Sequence, residues 1–168
     1  MKISRKNLEE IVSIALAREY LRIDSNSDSV LNELINFATN IAEEKIGLIV
    51  NKCEIEIELN GAELLNWKVN IKPIIEIISI NEEGNIVDRL NFKIQCEEKI
   101  NSLQPQKINP EKIYKVKLLC GKEIDSKVRI IILQHIAYIY DNRSDVMMNG
   151  AISGGIEAIY NKLKEPKL

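Results

Sequence analysis

The 168-residue sequence holds one histidine, three cysteines, no excess of positive charge and no long apolar run, and each scarcity removes a class of function. A lone histidine cannot build a histidine-bearing metal cluster without other ligands. Cys53, Cys96 and Cys120 lack metal-ligand spacing and sit among apolar or alternating residues, so they read as buried, reduced thiols of a cytosolic protein. Nothing approaches the ~18 unbroken apolar residues that would cross a bilayer. Residues 1–17 place basic side chains before an apolar stretch, as signal peptides do. Glu9 and Glu10 interrupt it and Ser13 breaks the run, so no export signal is expected. With 23 Lys+Arg against 25 Asp+Glu, the net charge of −2 does not suit a tight DNA binder, whose affinity comes largely from neutralising phosphates.

What is present is a core. Hydrophobic residues make up 45% of the chain and charged ones 29%, enough for one folded domain and too apolar for a disordered one. The charge is uneven: residues 1–84 hold 9 basic and 15 acidic side chains, residues 85–168 hold 14 and 10. Opposite-signed halves can attract neighbouring copies, or be interspersed in one fold.

Apolar periodicity divides the chain. Over residues 7–21, Leu8, Ile11, Val12, Ala15 and Leu16 recur at three- and four-residue spacing, which predicts an amphipathic helix. A polar stretch, residues 24–29, favours a turn, with Asp24 or Ser27 capping the next helix and Asp28 in its first turn. That helix carries the clearest stripe, Val30, Leu31, Leu34, Ile35, Ala38, Ile41, Ala42 and Ile46, and Gly47 is placed to stop it. The period then falls to two. Cys53, Ile55, Ile57 and Leu59 alternate with Lys52, Glu54, Glu56 and Glu58, a half-buried strand with a wet side.

Asn60-Gly61 signals a turn, and residues 64–70 are ambiguous. The isoleucine-rich run 74–80 after Pro73 reads as a strand buried on both faces, followed by a hairpin loop at 81–85 into Ile86-Val87. Leu90, Phe92 and Ile94 alternate, residues 97–112 read as loop, and Tyr114, Val116, Leu118 and Cys120 alternate again. Residues 128–140 are apolar nearly all round, predicting a helix that is central or lies at a subunit interface, capped by Asp125 or Ser126. A glycine-bearing loop precedes a last helix at 156–163. The expected fold is α+β: a helical core from 7–47, 125–143 and 155–164 with a small, mostly antiparallel sheet inserted at about 50–120. Residues 1–164 are expected as one domain and 165–168 as a flexible tail.

Motifs that carry chemistry fail on inspection. Asp24-x-Asn26-x-Asp28 begins like a calcium loop, but Ser29 stands where its glycine belongs and Ile35 where its bidentate glutamate belongs. Gly150 and Gly155 have phosphate-loop spacing, yet Ile156 and Glu157 follow where Lys and Ser/Thr are needed. His135 lies in the most apolar segment, and Cys–His catalysis would need a cysteine brought beside it by the fold. Adjacent carboxylates such as Glu43/Glu44 diverge on a helix or strand. No catalytic, cofactor-binding or metal-ligating set is assigned.

Three stretches in fixed order carry a resemblance. Residues 19–24 (EYLRID), a polar turn and the helix from Asp28 through Ala42 resemble the opening of the tailed-phage head–tail connector, or adaptor, family, which includes adaptors of phage-derived gene transfer agents. Residues 127–143, ending Tyr140-Asp141-Asn142-Arg143, look like that family's late helix with its Tyr-x-x-Arg phrase. Residues 155–164 are similar to its closing helix, and the strand at 73–80 with its glycine hairpin fits its β insertion. The chain departs from the pattern in lacking a proline before the late helix and in carrying Tyr160 where leucine is usual.

The resemblance implies a non-catalytic, cofactor-free ring subunit between portal and tail or stopper protein, surrounding a channel through which DNA passes without specific binding. It implies assembly in the cytoplasm, residence at the head–tail junction of the particle, and no membrane association. The isolated subunit is compatible with ring or monomer. Arg22, Asp24, Tyr140 and Arg143 are the candidate structural clamp. Lys162, Leu163, Lys164, Lys167 and Leu168 are the candidate portal-contacting tail. Two rival readings are a cytosolic binding or regulatory module of the same fold and a small enzyme built around His135 and a cysteine.

Overall fold

The computed structural model describes residues 2–23, 28–67, 71–95, 99–102, 105–121, 125–142 and 152–164. Its elements run β1 (Lys2–Glu9), α1 (Ile14–Leu21), α2 (Asp28–Ile46), β2 (Lys52–Asn60), α3 (Gly61–Leu65), β3 (Ile74–Glu82), β4 (Asn85–Val87), β5 (Phe92–Gln95), β6 (Lys99–Ser102), β7 (Ile113–Cys120), α4 (Ser126–Asp141) and α5 (Gly154–Leu163). The fold is α+β, and the chain divides into two compact units. One combines residues 1–9 with 51–122, the other residues 10–50 with 123–168.

The second unit is a helical bundle whose ends are set by local chemistry. Ser13 Oγ accepts the Leu16 amide at 3.2 Å and starts α1, while Arg22 adopts a left-handed conformation (φ 53°) that ends it. Gly47 ends α2 as expected: at φ +82° its amide donates to the Glu43 carbonyl at 2.8 Å. Asp125 caps α4, accepting the Lys127 amide at 2.8 Å, and Ser153 caps α5. Helix α4 packs against α1, α2 and α5. Burial of Ile131, Ile132, Leu133, Ile136 and Ile139 accounts for most of its apolar residues, while Ile130 stays 52% exposed.

The first unit is a five-stranded antiparallel sheet in the order β1-β2-β7-β3-β4, beside a separate β5-β6 hairpin. The period-two reading of β2 and β7 holds residue by residue. Cys53, Ile55, Ile57 and Leu59 stand opposite Cys120, Leu118, Val116 and Tyr114, all buried.

Four expectations need correction. Residues 7–9 are strand, not the start of a helix. Seven register positions against β2 outweigh helical spacing there, and Ser13 delays the helix to Ile14. Ile11 and Val12 are buried all the same, in the segment that leads into α1. Strand β3 is not buried on both faces: Ile75 is 50% exposed. Two register shifts, between Ile74 and Glu76 and between Ile77 and Ser79, each add a residue, so the inward face is read at Ile74, Ile77 and Ile80.

Within the span 97–112 expected to be loop, residues 99–102 pair with β5. Asn60-Gly61, expected as a turn, is a helix start. Asn60 Oδ1 accepts the Glu63 amide at 2.8 Å while Glu63 Oε2 accepts the Asn60 amide at 2.9 Å, a reciprocal capping box. Gly61 packs so closely under the Asn109 carbonyl that a Cβ would overlap it.

Candidate interaction surfaces

The helical unit is tied together by polar contacts at its margins and by one inside it. Arg18 on α1 pairs with Asp28 at the start of α2, which puts that acid to structural use. Arg129 Nε donates to the Ile11 carbonyl at 2.9 Å, holding α4 to the segment before α1. Lys45 Nζ meets Glu157 Oε1 at 2.7 Å, so the acid that breaks the phosphate-loop pattern pins α5 to the end of α2. The Glu157 carboxylate raises the Lys45 pKa, mainly through that hydrogen bond.

Inside, His135 is fully buried, with Nδ1 3.1 Å from the Tyr160 hydroxyl and the two rings edge to face at 5.8 Å. Burial pushes the Tyr160 hydroxyl pKa up, which keeps it protonated and able to share a hydrogen bond. Tyr160, unusual at its place in the C-terminal helix, thus supplies a hydroxyl to the histidine that faces it. A ring with no exposed surface meets no substrate unless the bundle opens.

The predicted clamp is only partly visible. Arg22 is exposed at the end of α1 and Tyr140 is half-buried in the last turn of α4. Asp24 and Arg143 lie outside the described residues. Of the predicted tail, Lys162 and Lys164 are exposed and Leu163 packs partly against the core, while Lys167 and Leu168 lie outside the described residues. Arg18 and Arg129, which do join elements, were not singled out from the sequence; charge alone does not distinguish them from solvated residues.

The sheet unit presents an ionic face and two open ends. Glu54 meets Lys117 at 2.7 Å and Glu58 meets Lys115 at 3.7 Å, with Lys2 and Lys6 opposite Glu58 and Glu54 across β1–β2. The hydrogen bond from Lys117 holds the Glu54 carboxyl below the usual carboxylate range. At the far side Lys112 pairs with Glu82, whose other oxygen accepts the Tyr114 hydroxyl at 3.0 Å. The Lys112 bond lowers the Glu82 pKa, and burial chiefly raises that of Tyr114.

Cys53 and Cys120 are opposed, buried thiols with no disulfide between them; burial pushes the Cys120 thiol up to about 12, an inert state. They belong to the sheet unit and His135 to the helical one. No group of three metal-ligating side chains occurs among the described residues, and no described helix is long and apolar enough to cross a membrane. A hollow lined by Glu82, Phe92, Ile108 and Tyr114, of about 50 Å³, has room for one or two waters.

No family model and no curated protein matches the sequence. The solved structures that match the fold include two that do so over its full length. One is a chain in the neck of an empty gene transfer agent (GTA) particle computed with C6 symmetry, with a TM-score of 0.71 at 13% identity, covering 100% of this chain and 97% of that one. The other is a chain of the virion of a native gene transfer agent particle, with a TM-score of 0.72 at 13% identity and the same coverage. The shared property is the fold.

Proposed function

We propose that the chain is a structural head–tail adaptor of a phage or phage-like particle, one copy of a ring that joins portal to tail or stopper around the DNA channel. The observation that carries this reading is the end-to-end fold match to chains of gene transfer agent particles, one of them in the particle's neck. The order of the phrases at 19–24, 140–143 and 155–164 supports it independently. The charge is in keeping with such a role, because a channel that lets DNA slide should not hold phosphates tightly and the chain carries a net charge of −2.

The tail from Lys162 onward is the proposed portal contact. Arg22 and Tyr140, with Asp24 and Arg143, are the proposed clamp of the helical core. Mixing the purified chain with a portal ring and following it by sedimentation and negative-stain imaging tests the reading. The expected product is a second ring stacked on the portal. A chain that neither binds the portal nor forms a ring in its presence would overturn it.

A further inference from the structure

The five-stranded sheet ends in two unlike edges. Strand β1 is paired along one side only, and all eight of its residues are exposed. Ile3 keeps 54% of its surface in solvent and Leu8 45%. A strand this long and open presents a row of outward backbone donors and acceptors, the usual template for another strand. The opposite end is β4, three residues long, where Ile86 is 83% exposed and Leu90, just beyond it, is 77% exposed. Both ends therefore combine open backbone with apolar side chains that the described residues do not cover.

Their charges are opposite. Strand β1 carries Lys2, Arg5 and Lys6 against Glu9; residues 81–90 carry Glu82, Glu83 and Asp88 against Arg89, with Lys112 paired to Glu82 and 3.9 Å from Glu83, which leaves Asp88 as the acid of this set without a neighbouring lysine among the described residues. Two copies joined β1 to β1 in a centred antiparallel register would set Arg5 against Lys6 and Lys2 against Glu9, so that like and opposite pairs offset and charge gives that register no advantage. Joining β1 of one copy to the β4 end of the next sets cations near Glu83 and Asp88, and exposed apolar residues near exposed apolar residues. Such a contact uses two different patches of one molecule and repeats head to tail, the requirement for a ring.

We infer that the open edge of β1 pairs with the β4 edge of a second copy of this chain, so that the sheet continues from subunit to subunit. The inference rests on the ring reading above and names the contact that closes the ring. Charge reversal tests it. The Lys2→Glu/Lys6→Glu chain has two acidic edges, and the Glu83→Lys/Asp88→Lys chain two basic ones. Self-association is measured by sedimentation and negative-stain imaging, for the chains alone and seated on a portal ring. Each variant alone should associate roughly 100-fold more weakly than wild type, and an equimolar mixture should reassemble into rings of alternating copies. Because Lys2 and Lys6 also face Glu58 and Glu54 within the sheet and Glu83 lies 3.9 Å from Lys112, Ile86→Lys, which removes the apolar contact and adds a cation facing cations, provides a second probe at a side chain 83% exposed. It should weaken association with an unchanged melting temperature.

Rings that form equally well from either reversed chain, or from Ile86→Lys, overturn the edge contact while leaving the ring reading in place. A mixture that fails to restore what the single variants lose also overturns it. Wild-type chains that form no ring in either setting overturn both.

Discussion

The two units of this molecule solve the burial problem differently. In the helical unit each long helix turns its apolar stripe onto the others, and even the polar His135 finds the Tyr160 hydroxyl inside the core. In the sheet unit the central strands β2 and β7 are well covered, but β1 is exposed along its whole length and β4 leaves Ile86 almost fully in solvent. The helical unit leaves Tyr20, Val30, Phe37 and Ile130 about half in solvent, but the most exposed apolar side chains among the described residues, Ile86 and Leu90, belong to the sheet unit. Closed cores set stability; open edges invite partners.

The largest test of that contrast compares isoleucines of equal size. Ile132 on α4 is fully buried and Ile86 on β4 is 83% exposed. Ile132→Ala should lose about 2–5 kcal/mol of unfolding free energy, the lost transfer energy plus the cavity left behind. Ile86→Ala should stay within about 0.5 kcal/mol. Urea denaturation of both variants settles it, and similar losses would break the contrast.

Backbone packing gives the next effect, and it lies in the covered part of the sheet unit. Gly121 has φ +106°, and a Cβ there would overlap the Asn51 carbonyl. Gly121→Ala should therefore cost ~2 kcal/mol or more, from strain in the left-handed region and from displaced backbone. Gly84, also at positive φ (+93°) but with nothing near its Cβ, should cost less when changed to Ala. The difference between the two melting temperatures isolates the packing part.

A smaller effect should come from the polar pair in the helical core. Tyr160→Phe keeps the ring and removes the hydroxyl 3.1 Å from His135 Nδ1. A loss of about 1–2 kcal/mol is expected, the value of a buried hydrogen bond whose partner stays behind. No loss on thermal or chemical denaturation would mean that the hydroxyl contributes only volume.

Much of this was legible beforehand, for reasons that differ by element. Helices α2 and α4 and strands β2 and β7 carry most of their burial pattern in their own periodicity, because each packs one broad or regular face. Strand β3 misled because two bulges changed its inward spacing from two to three, and bulges leave little trace in an isoleucine-rich run. Strand β1 misled because Leu8, Ile11 and Val12 have helical spacing, while its pairing with β2 is a contact between residues some 50 positions apart. The open edges were hidden for the same reason: edge status belongs to the sheet order, not to any segment. Tyr160 looked like an anomaly until α5 placed it against His135.

The weakest effect should separate the units by pH. Glu54 and Glu82, both in the sheet unit, have carboxyl pKa values lowered by hydrogen bonds from Lys117 and Lys112. A lowered folded-state pKa gives stability that is present above the unfolded value, about 4.3, and lost as pH falls through the folded one. Acid should therefore loosen the ionic face of the sheet first, by a small amount because these side chains are solvent-screened. Lys45 in the helical unit has the opposite sign: its pKa is raised by its hydrogen bond to Glu157, so that contribution is present below the usual lysine range and is lost only as the pH rises through it. In a Glu54→Gln/Glu82→Gln variant the gap to wild type should be present at pH 7 and close as the pH falls below about 4. Amide exchange in β2 and β7, compared with α4, locates the change; loss of protection in α4 at the same pH would show that the two units do not differ in this respect.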